Sequence, residues 1–388
     1  MKTPIVHLVG SSVRAAAQSA VAAGWNVIAW DDFADTDLLQ IAQHRGSPRD
    51  FLVRRIAGES VTSGPVLLTG GTEPHHPYLD EQPDAHATHR ILHSPESLST
   101  HCQGTEIAFP DWFRPTAQSL RTESSGTGPW IRKSPLGCGG VHIQFAKRTD
   151  ELTPTSIAAP ASDVDDWKTS YLQQLVSGIP ISVTAITFPN RTQLLGMCIG
   201  RSTAIGGHPF VYAGSIGPFK APNTVADRVQ QVIQRMRSKA THLRGLFGID
   251  LMWERESETR PKTRTADELT QSIQSMSDTD ELTLLEINPR WTASMELVDR
   301  AQTASLIDLH FAAIHGRPLE SEWMEDIQPL EKRIHFANRD LTFLRRHAVK
   351  RWCVEPGSFL ADIPIENATI PMGHPICTSY RIVESVQP

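Results

Sequence analysis

Acidic and amide side chains interrupt two apolar segments in the second half of the chain. Asp250 lies within GLFGIDLMW, and Glu286 and Asn288 lie within LLEINPR. A carboxylate in a buried strand is costly unless it is paired or binds a metal. Carboxylate and amide oxygens are ligands that Mg²⁺ prefers. These residues therefore predict a magnesium site, and the alternative is a buried ion pair between a carboxylate and Arg290.

Arg290 lies two residues beyond Asn288 in the same segment. Side chains two residues apart in a strand share a face, so Glu286, Asn288 and Arg290 are expected to point the same way. A guanidinium beside a metal site can neutralise a phosphoryl group in transfer or hold a substrate carboxylate. Arg290 is therefore a candidate catalytic residue.

A lysine precedes a glycine-rich segment in WIRKSPLGCGGVHI. Lys133 ends a predicted strand, and Gly137, Gly139 and Gly140 let backbone N–H groups approach an anion closely. No lysine lies between Lys2 and Lys133. The motif predicts a phosphate site with Lys133 as its point charge, and the alternative is a plain hairpin turn.

The segment YLQQLVSGIPISV predicts two strands around a glycine turn. Such a segment can present backbone N–H and C=O groups to an adenine edge, with Gln173 or Gln174 nearby. The alternative is a hairpin whose glutamines face solvent.

The chain begins with the pattern of a βαβ unit: apolar PIVHLV, a glycine turn, an alanine-rich helix and apolar NVIAW. The turn contains Gly10 alone, so the GxGxxG fingerprint is missing and a nicotinamide-dependent dehydrogenase is disfavoured. Ser11, Ser12 and Arg14 at the helix start could hold an anionic substrate. The alternative is a helix cap with a surface arginine.

Short strands and helices alternate with turns along the rest of the chain. The polar stretch 254–281 is too hydrophilic for the core and is predicted to be a hairpin tip or a disordered insertion. One long amphipathic helix is expected between LLEINPR and Gly316. Helices are predicted at about 35–44, 49–58, 86–92, 95–101 and 224–243, and strands at 65–71, 130–134, 141–145, 171–176, 181–188, 193–200, 210–215 and 245–253.

The composition is that of an ordinary globular protein, with 39% hydrophobic and 21% charged residues. The net charge of -6 argues against a general nucleic-acid binder. No segment predicts a membrane helix, and the first residues suit a buried strand better than a signal peptide, so a cytoplasmic location is expected. The 5 cysteines show no CxxC pairing and predict reduced thiols.

Histidines are frequent before residue 94, at His75, His76, His86, His89 and His93. His89 and His93 have the i, i+4 spacing of a helix face, but no acidic residue lies in register with them. They are therefore predicted to lie on a solvated surface rather than in a zinc site.

In this order and at these separations, the four motifs resemble the ATP-grasp superfamily, in particular its predicted ATP-dependent carboligases related to biotin carboxylase. The chain also resembles enzymes of the D-alanine:D-alanine ligase and tyramine–glutamate ligase types. LLEINPR with the upstream GID is the most specific part of a resemblance that covers most of the chain. It implies an α/β and α+β architecture: an N-terminal βαβ pre-ATP-grasp domain (1–85), an ATP-grasp domain (86–329, with a small lobe at about 116–178 and a large lobe at about 179–329) and a small C-terminal β-rich segment (330–388).

The resemblance also implies ATP and Mg²⁺ as cofactors, with Mn²⁺ as a substitute. Relatives usually carry an earlier lysine at the α-phosphate; Arg90 or Arg114 could replace it here, although arginine is not isosteric with lysine. Gln174 stands where relatives often carry a glutamate. The resemblance implies that Lys133 contacts a phosphate and that Gly137, Gly139 and Gly140 form a loop over the β- and γ-phosphates. It implies an adenine hinge made of Gln173, Gln174, Leu175 and Val176. It also implies that Asp250, Glu286 and Asn288 bind Mg²⁺ and that Arg290 contacts the phosphoryl group or acyl phosphate.

The implied reaction is phosphorylation of a carboxylate by ATP, attack of an amine on the acyl phosphate, and release of ADP and phosphate. One-carbon coenzyme pathways of the tetrahydromethanopterin or methanofuran type are the suggested setting. The expected partners are small carboxylate and amine substrates, without nucleic acid or membrane, and a homodimer is the candidate assembly. A catalytically silent nucleotide-binding protein and a carboxylase with a separate carrier protein are the alternatives.

Overall fold

The computed structural model describes residues 3–59, 64–75, 85–114, 129–146, 169–254, 265–277 and 279–383. Strands and helices alternate in its first part: β1 (Ile5–Val9), α1 (Arg14–Ala22), β2 (Asn26–Trp30), α2 (Thr36–Leu39), β3 (Gln43–Gly46), α3 (Pro48–Ile56) and β4 (Val66–Leu68). The strands form a parallel sheet in the order β3-β2-β1-β4. The predicted βαβ unit is thus confirmed.

The turn after β1 brings two strand ends close together. A side chain at Gly10 would lie 1.8 Å from Thr69 Oγ1, so only glycine fits this turn. The chain runs from β1 outward to β3 and then returns to the other side of β1 as β4. Such a change of direction, at the carboxyl ends of β1 and β4, is the place where open α/β sheets bind ligands.

The predicted helix over 35–44 is wrong in its second half. Only Thr36–Leu39 are helical, and Gln43–Gly46 form β3, which pairs with β2 at the edge of the sheet. The helix buries Leu38 alone, so little apolar contact extends it, and sheet pairing outweighs helix propensity.

A small sheet with two helices before it follows. The elements are α4 (Ala85–His93), α5 (Pro95–Cys102), β5 (Trp112–Phe113), β6 (Trp130–Lys133), β7 (Gln144–Phe145) and β8 (Tyr171–Gln174). The sheet order is β5-β8-β6-β7. Both predicted helices are confirmed, but the predicted strand 141–145 shortens to β7, because left-handed backbone at Gly139 and Gly140 starts a turn that runs through residue 142.

The large sheet carries most of the core. The elements from residue 179 onward are β9 (Ile179–Thr187), β10 (Thr192–Ile205), β11 (His208–Phe219), α6 (Asn223–Arg237), β12 (Gly245–Glu254), α7 (Ala266–Gln274), β13 (Glu281–Asn288), α8 (Met295–Asp299), α9 (Leu306–Ile314), β14 (Leu330–Phe336), β15 (Leu341–Thr342), α10 (Arg345–Trp352), β16 (Phe359–Ala361), β17 (Thr369–Ile370) and β18 (Pro375–Ile382). The strand order is β13-β12-β9-β10-β11-β14-β18-β16, and β15 pairs with β17. Strands after residue 330 therefore extend the central sheet through the β11–β14 pair.

The polar stretch 254–281 differs from its prediction where it is described. It contains α7, which begins at a capping box made by Thr265 and Glu268 and buries Ala266 and Ile273. Its apolar residues are few but lie on one helical face, so composition alone underestimated their contribution to the core. Residues 255–264 lie outside the described ranges.

The single long helix predicted before Gly316 is also wrong, because it is divided into α8 and α9. Ser305 caps α9, and the Asp299 carboxylate accepts a hydrogen bond from the Leu306 backbone N–H at 2.7 Å. These caps satisfy N–H groups that a continuous helix would bond internally.

Apolar side chains join the N-terminal sheet to the large sheet. α1 packs against α8 and α9, and Leu8 and Ala17 share one cluster with Leu297 and Leu309. The carboxyl edge of the N-terminal sheet is thereby fixed beside the strands that carry Asp250 and Glu286. Within the described ranges, every helix is too short or too polar to span a bilayer.

Candidate functional site

Strands β12 and β13 bring the acidic residues of the two motifs together. Asp250 lies opposite Glu286, and Gly248 lies opposite Asn288. The register shifts between Asp250 and Leu251, which leaves Leu285 of β13 without a ladder partner. The Leu285 carbonyl instead accepts a hydrogen bond from Lys133 Nζ at 3.1 Å. The bulge therefore positions the lysine of the glycine motif beside the two acidic strands.

Lys133 forms an ion pair within this group. Its Nζ lies 3.4 Å from Glu286 Oε2, and its side chain is 6% exposed. Burial acts to lower the pKa of Lys133, but Tyr171 and Glu286 outweigh burial and raise the pKa above its usual value. Lys133 therefore remains an ammonium group in the site.

Asn288 connects the carboxylates to Arg290. Its Nδ2 donates to Asp250 Oδ2 at 2.9 Å and lies 3.4 Å from Glu286 Oε1, while its Oδ1 accepts from Arg290 Nη2 at 2.9 Å. Arginine has donors only, so this bond fixes which end of the amide faces the carboxylates.

The two carboxyl groups differ in their charge. Burial and the neighbouring Glu286 raise the pKa of Asp250 to about 7. Burial also acts to raise the pKa of Glu286, but Lys133, Asn288 and Arg290 outweigh it and the pKa is lowered. The pair carries more negative charge than its neighbours neutralise, so a further cation would stabilise it.

Glu73 belongs to this site and is absent from the sequence prediction. Its Oε1 lies 2.8 Å from Arg290 Nε, and its Oε2 accepts from the Gly71 backbone N–H at 2.8 Å. Glu73 is 1% exposed. The available signal was a carboxylate two residues after the buried strand and glycine turn PVLLTGG. Burial acts to lower the pKa of Arg290, but Glu73 and the other nearby anionic groups outweigh it.

The glycine loop lies against β11 and the Arg290 side chain. A Cβ atom at Gly140 would lie 1.9 Å from the Phe210 carbonyl oxygen, and the Gly139 carbonyl accepts from the Tyr212 N–H at 2.9 Å. Cys138 Sγ is 3.7 Å from Arg290 Nη2. The structure thus brings Lys133, the glycine loop and Arg290 to one place.

The predicted hinge runs along the end of β8. Gln173 is 1% exposed, so the alternative of solvent-facing glutamines is wrong for this residue. Its Nε2 has no hydrogen-bond acceptor among the described residues. The N–H groups of Gln174 and Leu175 already donate to the carbonyls of Asp111 and Pro129. Val176 follows directly and is partly buried.

Arg14 lies in a second group of buried charges, which we term the clamp: Arg14, Glu296, Lys332, Asp362 and Tyr380. Arg14 is 2% exposed; its Nε donates to Asp362 Oδ1 at 2.8 Å, and its Nη1 pairs with Glu296. Lys332 Nζ and Tyr380 Oη lie 2.6 Å and 2.7 Å from Glu296 Oε2. The clamp joins α1, α8, β14 and β18.

The residues at the start of α1 therefore separate into two kinds. Ser11 is partly buried and lies beside Gly71, and Ser12 is exposed. The alternative of a helix cap with a surface arginine is wrong, because Arg14 is buried and Val13 occupies the N-cap. The Val13 N–H donates to the Asp31 carboxylate at 2.8 Å. Arg14 contacts protein carboxylates, which leaves its predicted role in substrate binding without support.

His89 and His93 correct the predicted solvated surface. They are 1% and 7% exposed, and their rings stack with centroids 5.6 Å apart. Burial lowers the pKa of His93, with His89 and Arg290 adding to the effect. His75 is exposed, whereas His76 and the His86 side chain lie outside the described parts of the chain.

The two arginines considered in place of the earlier lysine do not lie in this group. Arg90 is exposed, and Arg114 forms an ion pair with Glu96 and donates to the Thr169 carbonyl oxygen at 2.8 Å. The described contacts of Arg114 are therefore those of a structural residue.

The side chains of this site fit Mg²⁺ and nucleotide in part. Two opposed carboxylates with excess negative charge fit a divalent cation. Asn288 presents its amide nitrogen to them, so its oxygen could join only after the amide turns away from Arg290. In the described ranges, no three His, Cys, Asp or Glu side chains form a ready metal cluster. The buried Gln173 amide without an acceptor fits a hydrogen bond to an adenine acceptor atom.

Residues 103–294 match the family model for the ATP-grasp domain. No curated protein sequence matches the chain. A carboxyaminoimidazole ribonucleotide synthase from Aspergillus clavatus, complexed with ATP, aligns with a TM-score of 0.65 at 14% identity, covering 99% of this chain and 94% of that one. N5-carboxyaminoimidazole ribonucleotide synthetase from Thermotoga maritima aligns with a TM-score of 0.58 at 13% identity, and the alignment covers 98% of this chain and 94% of that one. Phosphoribosylamine–glycine ligase from Thermotoga maritima aligns with a TM-score of 0.64 at 12% identity, and the alignment covers 98% of this chain and 93% of that one.

Proposed function

Because this chain carries an ATP-grasp domain, with the fold of that superfamily, we propose that it is an ATP-dependent ligase that joins a carboxylate to an amine and releases ADP and phosphate. One observation carries the proposal: Lys133, Asp250, Glu286 and Arg290 converge on one edge of the β12–β13 pair. Transfer of a phosphoryl group between anions needs such charge neutralisation and positioning more than an acid or a base.

Nucleotide binding is assigned to the small sheet and the glycine loop. Lys133 is a buried ammonium group at the end of β6, and the loop that follows it rests on β11. Gln173 offers its free amide to adenine, and the segment through Val176 continues the hinge. The structure of the Aspergillus clavatus synthase in complex with ATP supports nucleotide as the ligand of this fold.

Asp250 and Glu286 would hold Mg²⁺, and Asn288 would join them if its amide turns. Bound Mg²⁺ supplies charge neutralisation of the phosphates. Lys133 already neutralises Glu286 from one side, so it keeps this carboxylate charged for a metal.

Arg290 is assigned to the phosphoryl group and the acyl phosphate. Its guanidinium is buried, forms an ion pair with Glu73 and donates a hydrogen bond to Asn288, so its orientation is fixed before substrate binds. Cys138 of the glycine loop lies beside it. The loop can thus exclude water from the acyl phosphate, which would otherwise hydrolyse.

The names of the structural neighbours support the choice of an amine acceptor. One neighbour is a phosphoribosylamine–glycine ligase, and others are carboxyaminoimidazole ribonucleotide synthetases. For this chain, the substrates are proposed to be a small carboxylate and an amine, and a one-carbon coenzyme pathway is the proposed setting.

A catalytically silent nucleotide-binding protein is the second candidate. The observation that favours it is the engagement of Arg114 with Glu96 and Thr169, together with the exposure of Arg90, because these were the two arginines considered in place of the earlier lysine. A silent protein would bind MgATP without substrate-dependent turnover.

The proposal is tested by ADP and AMP release from MgATP over a matrix of carboxylates and amines, beginning with glutamate, aspartate, tyrosine and tyramine. We expect ADP release that depends on one carboxylate–amine pair. AMP release would indicate adenylation and contradict the acyl-phosphate route. Nucleotide binding with no turnover across the matrix would favour the silent protein.

A further inference from the structure

One face of the small sheet is turned toward β13. Side chains directly opposite each other in an antiparallel sheet share a face, and here Lys133 lies opposite Tyr171 while Ile131 lies opposite Gln173. Lys133 Nζ donates from this face to the Leu285 carbonyl of β13 at 3.1 Å. The face therefore lines a cleft between the small sheet and the strand that carries Glu286.

Gln173 lies further along this cleft than Lys133. It is two residues beyond Tyr171 on β8, which places their side chains about 7 Å apart on the same face. The face is buried, whereas Arg132, whose side chain points to the other face, is exposed. The Gln173 amide is therefore aimed into the cleft in which Lys133 is the proposed phosphate contact.

The amide nitrogen of Gln173 is a buried donor without an acceptor. The residue is 1% exposed, and its Nε2 makes no hydrogen bond to any described residue. A buried donor in this state is unfavourable, and a ligand that supplies an acceptor removes the penalty. The free nitrogen thus indicates a ligand with an acceptor atom at this position.

The neighbouring backbone does not duplicate this donor. The N–H groups of Gln174 and Leu175 donate to the carbonyls of Asp111 and Pro129 at 2.8 Å and 2.9 Å. These two N–H groups are therefore not available to a ligand. Recognition of a base at this point of the cleft falls to the Gln173 side chain.

A side-chain amide can recognise both kinds of purine edge. Adenine carries an amino donor at C6, guanine carries a carbonyl acceptor there, and both bases carry the N7 acceptor. A glutamine amide has donors and an acceptor, and its last torsion angle has a broad, roughly two-fold preference, so the amide can turn. Its nitrogen can donate to O6 or N7, and its oxygen can accept from the adenine amino group. A charged carboxylate has acceptors only and would select the amino purine.

We propose that Gln173 enables the nucleotide site to bind oxopurine nucleotides, those of guanine and hypoxanthine, as well as adenine nucleotides. The free Nε2 donates to O6 of an oxopurine without any rotation of the amide, and the phosphates extend toward Lys133. Gln173 is thus the residue that sets the purine preference. This role rests on the proposed function only in placing a purine nucleotide in the cleft.

The test is calorimetric titration of the full chain with MgADP, MgGDP and MgIDP. In the native chain we expect the three dissociation constants to lie within about tenfold of one another, because the amide offers one hydrogen bond to each base. MgGDP and MgIDP that both bind more than about tenfold more weakly than MgADP would overturn the proposal.

Gln173→Glu removes the donors and keeps the shape of the side chain. At about pH 8.5, where a carboxyl group beside Lys133 is charged, we expect the affinity for MgGDP and MgIDP to fall by about tenfold or more relative to MgADP. Gln230→Glu is the matched control, since Gln230 is also partly buried, lies on α6 and donates to the Thr192 carbonyl. It should leave the ratio of affinities as in the native chain.

Gln173→Met guards against a variant that folds poorly. Methionine keeps the length of the side chain but has no N–H donor, so the affinities for all three nucleotides should fall together. A smaller folded fraction lowers the apparent binding of the three nucleotides equally and leaves their ratio unchanged. An unchanged ratio in a folded Gln173→Glu protein would therefore remove Gln173 as the specificity residue.

The outcomes separate this proposal from the ligase. Binding of all three nucleotides without substrate-dependent release of ADP would remove the ligase and keep the oxopurine site. Binding of MgADP alone, with ADP release from a carboxylate–amine pair, would keep the ligase and remove the oxopurine site. Failure of all three nucleotides to bind would contradict both.

Discussion

Two groups of charged side chains, built from similar residues, differ in how completely they are neutralised. In the clamp, Glu296 is held by Arg14, Lys332 and Tyr380, and its pKa lies far below the usual value although burial acts in the opposite direction. On β12 and β13, Asp250 shares its surroundings with Glu286, and burial and that neighbour raise its pKa to about 7.

The difference separates a structural role from a functional one. A fully paired group needs no further ion, and its loss leaves partners unpaired in the interior. A group with excess negative charge is destabilised until a cation arrives, which suits a site that binds MgATP. The same substitution, glutamate to glutamine, should therefore have opposite consequences in the two groups.

The largest effect is expected for Glu296→Gln in the clamp. Removal of this charge leaves Lys332 and one side of Arg14 without a carboxylate, which should lower the free energy of unfolding by about 3–5 kcal/mol. The folded pKa of Glu296 is depressed, so its contribution is present above about pH 4 and is lost as pH falls. Urea denaturation at neutral and acidic pH measures both; a change of under about 1 kcal/mol at neutral pH would reject the clamp.

Glu286→Gln should act on turnover instead. We expect kcat to fall by about 100- to 1000-fold, because under the proposed function the substitution removes a carboxylate that would hold the metal. Stability should change by less than about 1 kcal/mol, because the lost attraction to Lys133 is offset by relief of repulsion with Asp250. Steady-state ADP release gives the rate. Retention of turnover together with a large stability loss would show that β12–β13 is a structural pair.

Lys133→Ala should weaken nucleotide binding. A charge-assisted hydrogen bond to phosphate contributes about 1.5–3 kcal/mol, so ADP affinity should fall by about 10- to 100-fold. Calorimetric titration of MgADP measures this, and Lys220→Ala, which removes an exposed ammonium group paired with Glu325, is the matched control. Equal affinity in both variants would remove Lys133 from the nucleotide site.

The smallest effect is expected in the glycine loop. Gly139 has open space for a Cβ, so Gly139→Ala should cost about 1 kcal/mol from its positive φ alone. Gly140→Ala should cost more, since its Cβ would meet the Phe210 carbonyl at 1.9 Å. The rate of ADP release is measured for Gly139→Ala and Gly140→Ala in the same assay. Equal activity would show that packing of the loop on β11 is unnecessary for the reaction.

The neutralised and unneutralised groups also differ in what sequence can reveal. Strand periodicity placed Glu286, Asn288 and Arg290 on one face, and the acidic residue of GLFGID was expected beside them. The bulge at Leu285, which brings in Lys133, depends on the pairing of two strands distant in sequence. Glu73 pairs with Arg290 across more than two hundred residues of chain, and local patterns carry no information about such a contact.

The sequence did not predict the clamp or the burial of His89 and His93, for a related reason. Arg14, Glu296 and Asp362 come from distant parts of the chain and meet only in the folded structure. His89 and His93 are polar residues on a helix whose burial depends on what packs over it. Patterns within one element predicted that element, whereas contacts between elements decided burial and charge.

One measurement tests the central claim directly: urea denaturation of Glu286→Gln and Glu296→Gln, each with and without MgADP at 100 times the dissociation constant of the native chain. A ligand at 100 times its dissociation constant adds about 2.7 kcal/mol of stability. We predict that Glu296→Gln is much less stable than the native chain but retains this increment, while Glu286→Gln retains stability and loses the increment. The reverse pattern would contradict the assignment of one group to the fold and the other to nucleotide and metal.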